Sequence, residues 1–495
     1  MKGRYLLAID QGTSSSRAVL YGHDAVAVAS SQREFPQVFP RPGWVEHEPA
    51  AIWDSVLHVT RQVLTDAGAK ASDLTALGVT NQRETTLIWD RKTGQPVHNA
   101  IVWQDRRTAR QCEALREGGA GALVSARTGL ELDPYFSATK IAWLLDNVDG
   151  LRRRAAEGRL AFGTIDSFLL WRLTGGRVHA TDASNASRTM LFNIHNQQWD
   201  DELLALFDVP RELLPQVRDS ACEFGETDSE IFGGTVPVLG IAGDQQAALI
   251  GQACSGEGMT KGTFGTGCFV IANTGSRALA SHNHLLTTVA SRIEGAVSYG
   301  LEGSVFVAGS AVQWLRDELG IIETAQDTER IAAATGVVDD VVVVPAFAGL
   351  GAPHWDPHAR GAIFGLSRGS GRDRIVTATL QAVALQTHDL IDAMADDGVS
   401  PSVLRVDGGM VANNWFLQFL ADILDIRIQR PANIESTVLG AMFLAGLQSG
   451  VIGSADDIAA LWRLDAAFEP AMQAAERERL LASWADAVAA VRVRG

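Results

Sequence analysis

Apolar positions in the first half of the chain follow two alternating rhythms. Short runs such as Leu74-Thr-Ala-Leu-Gly-Val79 and Val236-Pro-Val-Leu-Gly-Ile-Ala242 have the length of buried strands. The first ends at polar Asn81-Gln-Arg-Glu84 and the second runs into Gly243-Asp-Gln-Gln246. Between them, apolar residues recur every three or four positions. Pro49 at a first helical turn precedes the stripe Ile52, Trp53, Val56, Val59, Val63, and Ile141, Trp143, Leu144 and Leu145 form another. Strands alternating with helices predict an α/β architecture.

The second half restarts the scheme. It predicts a strand at Gly303-Ser-Val-Phe-Val307 and a helix carrying Val312, Leu315 and Leu319. Next come Val341-Val-Val-Val-Pro-Ala346, a Gly/Pro-rich loop from Gly349 to Gly361 and a long helix near 373–396. The strand Val403-Leu-Arg-Val-Asp407 opens onto Gly408-Gly409. Leu480, Leu481, Trp484, Ala487, Val488 and Val491 mark a packed C-terminal helix. The boundary between halves is expected near residue 250, dividing the chain into domains 1–250 and 251–495 with a cleft between them.

One pattern occurs twice. Tyr5-Leu-Leu-Ala-Ile-Asp-Gln-Gly-Thr-Ser-Ser-Ser-Arg-Ala-Val-Leu20 sets an apolar strand against another across a turn of Gly, Ser and Thr. Gly258-Met-Thr-Lys-Gly-Thr-Phe-Gly-Thr-Gly-Cys-Phe-Val-Ile271 does the same. A turn of this kind exposes backbone N–H groups and hydroxyls without bulky side chains, so it can wrap an anion closely. Either copy alone reads equally as a bare hairpin that needs no ligand. Two copies half a chain apart, the first preceded by the carboxylate of Asp10, point to a nucleotide clamped between two related domains.

Composition narrows the partners. A chain of 495 residues is long enough for two to four domains. The net charge of −16 argues against nucleic acid, whose binding draws on surplus Lys and Arg. Only five of the 42 basic residues are Lys, a bias assigned to genome composition. Cys112, Cys222, Cys254 and Cys268 are widely spaced and form no C-x-x-C pair, which fits free thiols in a reducing compartment. The N-terminus enters a strand at once, leaving no room for a signal peptide, and no apolar run approaches the length of a membrane span. A soluble, cytoplasmic protein is expected.

The chain contains no G-x-x-x-x-G-K-[ST], no strand–G-x-G-x-x-G–helix fingerprint and no protein-kinase motif set. Three polar loops could contact a substrate: Arg83-Glu84, Trp103-Gln-Asp-Arg106 and Asp244-Gln245. Carboxylates, an Arg and an amide are the groups that bind hydroxyls, and an aromatic can pack on a carbon skeleton. Each alone reads as an ordinary surface pair. Val406-Asp-Gly-Gly-Met-Val-Ala-Asn-Asn414 would let backbone approach a base or phosphate, or would simply turn a strand into a helix. His354-Trp-Asp-Pro-His358 superficially resembles a metal cluster, but prolines at 353 and 357 exclude helical i,i+4 ligation. Arg152-Arg-Arg154 reads as a solvated helix face, and Cys268 as a small packing residue.

These motifs, in this order, resemble the FGGY carbohydrate kinases of the actin–hsp70–hexokinase-like ATPase superfamily. The likeness runs from Ala8-Ile-Asp-Gln-Gly-Thr-Ser-Ser-Ser-Arg17 to Leu439-Gly-Ala441 and includes Pro42-Gly-Trp-Val-Glu-His47, Thr80-Asn-Gln-Arg-Glu-Thr85 and Asn185-Ala-Ser-Arg-Thr-Met-Leu-Phe192. Tyr135-Phe-Ser-Ala-Thr-Lys140 fits the family's first signature. Gly361-Ala-Ile-Phe-Gly-Leu366 lies in the second, which departs from pattern only at Arg374.

The resemblance implies two actin-like (ribonuclease H-like) ATPase domains with a catalytic cleft between them. It implies ATP-dependent phosphorylation of glycerol to sn-glycerol 3-phosphate, with Mg2+. By position, Arg83, Glu84, Trp103, Tyr135, Asp244, Gln245 and Phe269 would surround glycerol, with Asp244 as general base. Thr13, Ser14, Ser15 and Arg17, and Thr266 from the second hairpin, would contact phosphates. Gly309, Gln313, Gly409 and Asn413 would lie about the nucleoside, and Asp10 would hold Mg2+ through water. A dimer or tetramer is expected from the same resemblance. Some relatives bind fructose 1,6-bisphosphate through Gly-Gly-Thr-Arg; Gly233-Gly-Thr-Val236 lacks that Arg, so weak or absent inhibition is expected. The competing readings are another FGGY polyol or ketose kinase, and a non-catalytic actin- or hsp70-like ATP switch.

Overall fold

The computed structural model describes residues 4–356 and 358–492. Its spine is a sheet of thirteen strands. In chain order these are β1 (Tyr5–Gln11), β2 (Ser15–Gly22), β3 (Ala27–Glu34), β4 (Leu74–Asn81), β5 (Ala221–Glu226), β6 (Pro237–Gly243), β7 (Thr260–Phe264), β8 (Cys268–Gly275), β9 (Leu286–Ile293), β10 (Ala296–Val305), β11 (Val403–Asp407), β12 (Arg427–Pro431) and β13 (Leu464–Phe468). Across the sheet they lie in the order β13-β12-β11-β7-β8-β10-β9-β5-β6-β4-β1-β2-β3.

One five-stranded unit appears twice within that order. In the first copy β3, β2 and β1 are antiparallel neighbours, and β1, β4 and β6 are parallel. In the second, β10, β8 and β7 are antiparallel, and β7, β11 and β12 are parallel. The duplicated hairpin in the sequence is thus the leading hairpin of a duplicated sheet. Between the copies, β5 and β9 share a single paired position, Ala221 with Ile293.

The six helices that position the site are α1 (Pro49–Asp66), α2 (Asp244–Gly251), α3 (Gly309–Asp317), α4 (Arg372–Asp396), α5 (Asn414–Leu424) and α6 (Ser436–Ser449). Successive strand side chains point to opposite faces, and both faces of β1 are covered. Leu7 and Ile9 enter the core built by Ile52, Val56 and Val63 of α1. Leu6 and Ala8 enter the one built by Val438, Ala441 and Ala445 of α6. Full burial of each Leu, Ile or Val side chain here stabilises the fold by about 1.5–3 kcal/mol. This explains why β1 reads as a continuous apolar run.

α6 comes from the second half yet lies on strands of the first, and glycine makes the approach possible. A Cβ on Gly78 of β4 would overlap the Ala441 carbonyl, and one on Gly240 of β6 would sit 2.6 Å from Ala445 N. Where α6 crosses α2, Cβ atoms on Gly251 and Gly440 would overlap the carbonyls of Ser436 and Ala247.

Several sequence expectations need correction. α3 ends at Asp317, so Leu319 is not on its stripe; the chain turns at Gly320 (φ 61°) and Leu319 is exposed. The strand expected at 303–307 runs from Ala296 to Val305, its apolar pattern being interrupted by Ser298, Gly300 and Glu302. Arg152 and Arg154 are paired rather than merely solvated, with Asp146 (2.7 Å) and Asp90 (3.0 Å). Val342–Val344 pairs with Ala362–Phe364, closing the Gly/Pro-rich loop, in which Pro357 lies outside the described residues. Among the described residues no helix is long and apolar enough to cross a membrane.

Candidate functional site

The two hairpins are linked through Trp103, which donates to Thr13 Oγ1 at the first tip and meets Phe269, just after the second, edge-on. In the first, Gly12 N donates to Ser15 O (2.9 Å), and Thr13, Ser14 and Ser15 form the tip. In the second, Gly265 N donates to Gly267 O (2.9 Å). Thr266 O accepts from Ala308 N (2.9 Å) and Ser310 N (3.1 Å), tying that tip to the start of α3. A Cβ on Gly309 would lie 2.6 Å from Gly265 O, so this junction requires glycine. Gly408 has φ 94° and backbone of Phe264 at its Cβ position, which explains the Gly after β11.

Beside the second hairpin lies a cavity of about 380 Å3. Phe264, Val312, Leu380 and Met410 give it apolar walls, while Thr266, Gly309, Gln313, Gly409 and Asn413 reach its surface. The five residues expected around a nucleotide from this half are therefore brought together. Asn413 has a second duty: its Oδ1 caps α5 by accepting from Phe416 N (2.9 Å).

The first half presents a compact polar centre. Arg83 and Glu84 follow β4 and are buried. Glu84 holds a left-handed backbone (φ 59°), a strained state for a residue with a Cβ. Its carbonyl is fixed by Ser137 Oγ (3.0 Å) and Thr86 Oγ1 (2.9 Å). Asp244 opens α2, where the helix N-terminus favours a carboxylate. The preceding Gly243 N donates to Ser184 Oγ (3.0 Å), and Asp244 Oδ1 meets Arg83 Nε at 3.1 Å. The Asp244 side chain stays 29 % exposed, so one carboxylate beside buried charges remains open to the cleft.

Aromatic rings border this centre. Trp103 meets Tyr135 edge-on at 5.5 Å and Phe269 at 6.5 Å between centroids, and Trp103 Nε1 donates to Thr13 Oγ1 (2.9 Å). Lys140 Nζ donates to the Tyr135 carbonyl (2.5 Å), and burial lowers its ammonium to about 8. Gln245 Oε1 accepts from the buried Lys261 Nζ, which also donates to Thr263 Oγ1 (2.8 Å). The predicted acceptor residues thus form one locus, with rings on its wall and Arg, Glu, Asp and Gln at its base.

Two expected anion contacts carry protein partners. Arg17 pairs with Glu435 at the start of α6 and donates to Gln32 Oε1 (2.6 Å). Ser15 Oγ accepts from Gln32 Nε2 (2.9 Å). Asp10, on β1, has its carboxyl pushed up to about 7 by burial, then by the like charges of Asp244 and Glu435, against the pull of Arg17. A divalent cation would relieve that repulsion, so Asp10 fits such a group. Among the described residues no cluster of three or more His, Cys, Asp or Glu is placed to hold a metal unaided. All four cysteines are free, and burial lifts each thiol to about 12, so Cys268 is a packing residue.

Sequence reasoning assigned no role to Glu302, Arg188 or Lys261. Arg83 forks onto Glu302 (2.5 and 3.1 Å), and Arg188 reaches both Glu302 (2.9 Å) and Glu84 (2.7 Å). Lys261 carried a faint signal, being a Lys inside the second hairpin of a chain with five. A lone Glu before a predicted strand carried none.

Comparison with known proteins places this geometry. The FGGY carbohydrate kinase N-terminal domain matches residues 5–251, and the C-terminal domain of the same family matches 261–449. A glycerol kinase of Ectopseudomonas mendocina is 59% identical over 493 residues, covering 99% of this chain and 100% of that protein. One from Rhodospirillum centenum is 60% identical over 483 residues, covering 98% and 97%. Among solved structures, Plasmodium falciparum glycerol kinase with ADP superposes with a TM-score of 0.92 at 35% identity over 98% of both chains. A xylulose kinase from Lactobacillus acidophilus shares the fold at 22% identity, with a TM-score of 0.90 over 99% of both chains. With two family domains matched along a duplicated sheet and whole-length relatives near 60% identity, the chain belongs to the FGGY family of carbohydrate kinases.

Proposed function

We propose that the protein transfers the γ-phosphoryl group of ATP to a primary hydroxyl of glycerol, giving sn-glycerol 3-phosphate and ADP. The observation that carries this reading is the open carboxylate of Asp244, held 3.1 Å from Arg83 beside Glu84 and bordered by Trp103, Tyr135 and Phe269. Asp244 takes the hydroxyl proton as the alcohol oxygen bonds to phosphorus. The bond from the γ-phosphorus to the bridging oxygen breaks, and its electron pair leaves with ADP. Arg83, Glu84 and Gln245 engage the hydroxyls, and the rings pack on the three-carbon skeleton. A substrate missing a hydroxyl leaves a buried polar group unpaired, which supports strong selectivity.

Thr13, Ser14, Ser15 and Arg17 from the first hairpin, with Thr266 from the second, hold the phosphates; Arg17 would exchange its Glu435 partner for them. Gly309, Gln313, Gly409 and Asn413 border the nucleoside in the cavity beside α3. Mg2+, held by Asp10 through water, would neutralise charge on the transferring group. In this reading residues 1–250 and 251–495 are the two domains, the active unit is a homo-oligomer, and the enzyme works in the cytoplasm.

A coupled ADP-release assay over a polyol and sugar panel tests the assignment. Glycerol should give the highest kcat/KM, dihydroxyacetone and glyceraldehyde weak turnover, and xylulose almost none. Comparable kcat/KM for xylulose would refute the assignment. Asp244→Asn should lower kcat by on the order of 10²–10⁴, the usual contribution of a general base, while ATP binding survives. Wild-type turnover in that variant would remove Asp244 from the mechanism.

A further inference from the structure

Behind the proposed acceptor site lies a four-membered buried ion cluster joining the two halves of the chain. Arg83, Glu84 and Arg188 come from the first half; Glu302, on β10, comes from the second. Arg83 Nη1 and Nη2 grip the two oxygens of Glu302 at 2.5 and 3.1 Å. Arg188 Nη2 shares Glu302 Oε1 at 2.9 Å, and its Nε donates to Glu84 Oε1 at 2.7 Å. All four side chains are almost completely shielded from solvent.

The geometry divides the work among these atoms. Arg83 Nη1 and Nη2 each turn an N–H to Glu302, Nη1 also donates to Gln246 Oε1 (3.3 Å), and the Nε edge faces Asp244 Oδ1 at 3.1 Å. A guanidinium is planar, so gripping one edge fixes the direction of the other. Arg188 has no ion pair with Asp244 and lies with its guanidinium 5.3 Å from the Phe136 ring centroid. Besides Glu302 it contacts Glu84, whose only other ionic neighbour among the described residues is Arg83 Nε at 3.9 Å. Burial drives the Glu84 carboxyl up against the pull of Arg188 and Arg83. Burial would raise Glu302 too, but Arg188 and Arg83 outweigh it and hold that carboxyl down to about 2. A buried ion cluster is a weak source of stability, because desolvation offsets most of the attraction. Orienting neighbouring groups is what it does well.

Resting on the glycerol reading, we propose that Glu302 and Arg188 are positioning residues for the acceptor alcohol. Glu302 aims Arg83 at Asp244, and Arg188 orients the Glu84 carboxyl toward the acceptor hydroxyl. Neither touches ATP in this scheme. Loss of either should therefore injure acceptor binding and leave nucleotide binding alone, whereas a purely structural role would degrade both.

Glu302→Gln preserves shape but releases Arg83; Glu302→Asp keeps the charge on a shorter stem; Arg188→Lys keeps a charge without a fork. KM for glycerol is expected to rise at least tenfold in E302Q and R188K and less in E302D. KM for ATP should stay within about twofold, since the cavity beside α3 is untouched. Thermal shift supplies the readout independent of turnover: ADP should raise Tm of each variant as it does the wild type, while the shift from glycerol is lost in E302Q and R188K. Equal changes in both KM values, or an unchanged KM for glycerol, would overturn the proposal. If E302Q does not fold, the same two measurements on R188K and E302D decide. Wild-type enzyme in the same assay keeps the questions apart. Failure of the wild type to turn over glycerol defeats the function; a glycerol-active wild type with indifferent variants defeats only this inference.

Discussion

Glu84 shows how a single residue carries both strain and charge. Its left-handed backbone would cost roughly 1–3 kcal/mol in isolation, and two hydroxyl hydrogen bonds on its carbonyl hold it there. Asp166 shows a buried carboxylate away from the cleft. Thr164 and Thr181 hydroxyls lie 2.5 and 2.6 Å from its oxygens, and burial lifts it from 3.8 to about 7. The folded form then holds a proton that the unfolded form releases. Its contribution to stability therefore falls as pH rises from about 4 to about 7, with a slope of up to ~1.4 kcal/mol per pH unit. Asp166→Asn should flatten that slope, so thermal melts of variant and wild type across pH 4–8 should converge toward acid and separate toward neutrality, the variant being the more stable at pH 7. Parallel curves would mean that Asp166 titrates normally.

At the scale of elements, α6 is the decisive packing unit. It buries Val438, Ala441 and Ala445 against β1 and β4, and its crossing with α2 is close enough that Gly251 and Gly440 cannot carry a Cβ without displacing backbone. Because α2 begins with Asp244, this crossing also sets where the proposed base stands. Gly440→Ala should destabilise by about 3 kcal/mol, the upper range for overpacking, and lower Tm by several degrees in calorimetry. Gly121→Ala is the matched control. Gly121 starts the helix Gly121–Thr128 with open space at its Cβ position, so it should be neutral or stabilising by about 0.5–1 kcal/mol. A Gly440→Ala protein as stable as the wild type would show that the two helices can separate freely.

For the whole molecule, the seam between the two sheet copies is thin. β5 and β9 share one paired position, while each five-stranded copy is fully laddered. The Arg83–Glu302 fork joins the two halves, while the cavity beside α3 is lined by the second half alone. Binding nucleotide on one side and acceptor on the other should draw the halves together. The radius of gyration in X-ray scattering is expected to be smaller with ADP and glycerol together than with either alone. Equal values would exclude closure.

The amino-acid sequence alone determined a large share of this protein. Strand and helix rhythms announced an α/β chain, and the repeated Gly/Ser/Thr hairpin announced a duplicated unit, because glycine turns and two-residue alternation are local properties. The motifs around Arg83, Trp103, Tyr135 and Asp244 pointed to one acceptor locus only through their resemblance to the carbohydrate kinases, since Arg83, Trp103 and Asp244 taken singly read as ordinary surface pairs. Local pattern failed where an element stops or where a partner is distant. Leu319 keeps helical spacing although the helix has ended, and Ser298, Gly300 and Glu302 interrupt the apolar pattern of β10. Only the tertiary structure decided that Glu302, more than two hundred residues away, grips Arg83, that Arg17 is met by Glu435, and that α6 lies on the other half's strands. Those choices depend on burial and on which charges are brought face to face, and neither is written in the spacing of residues along the chain.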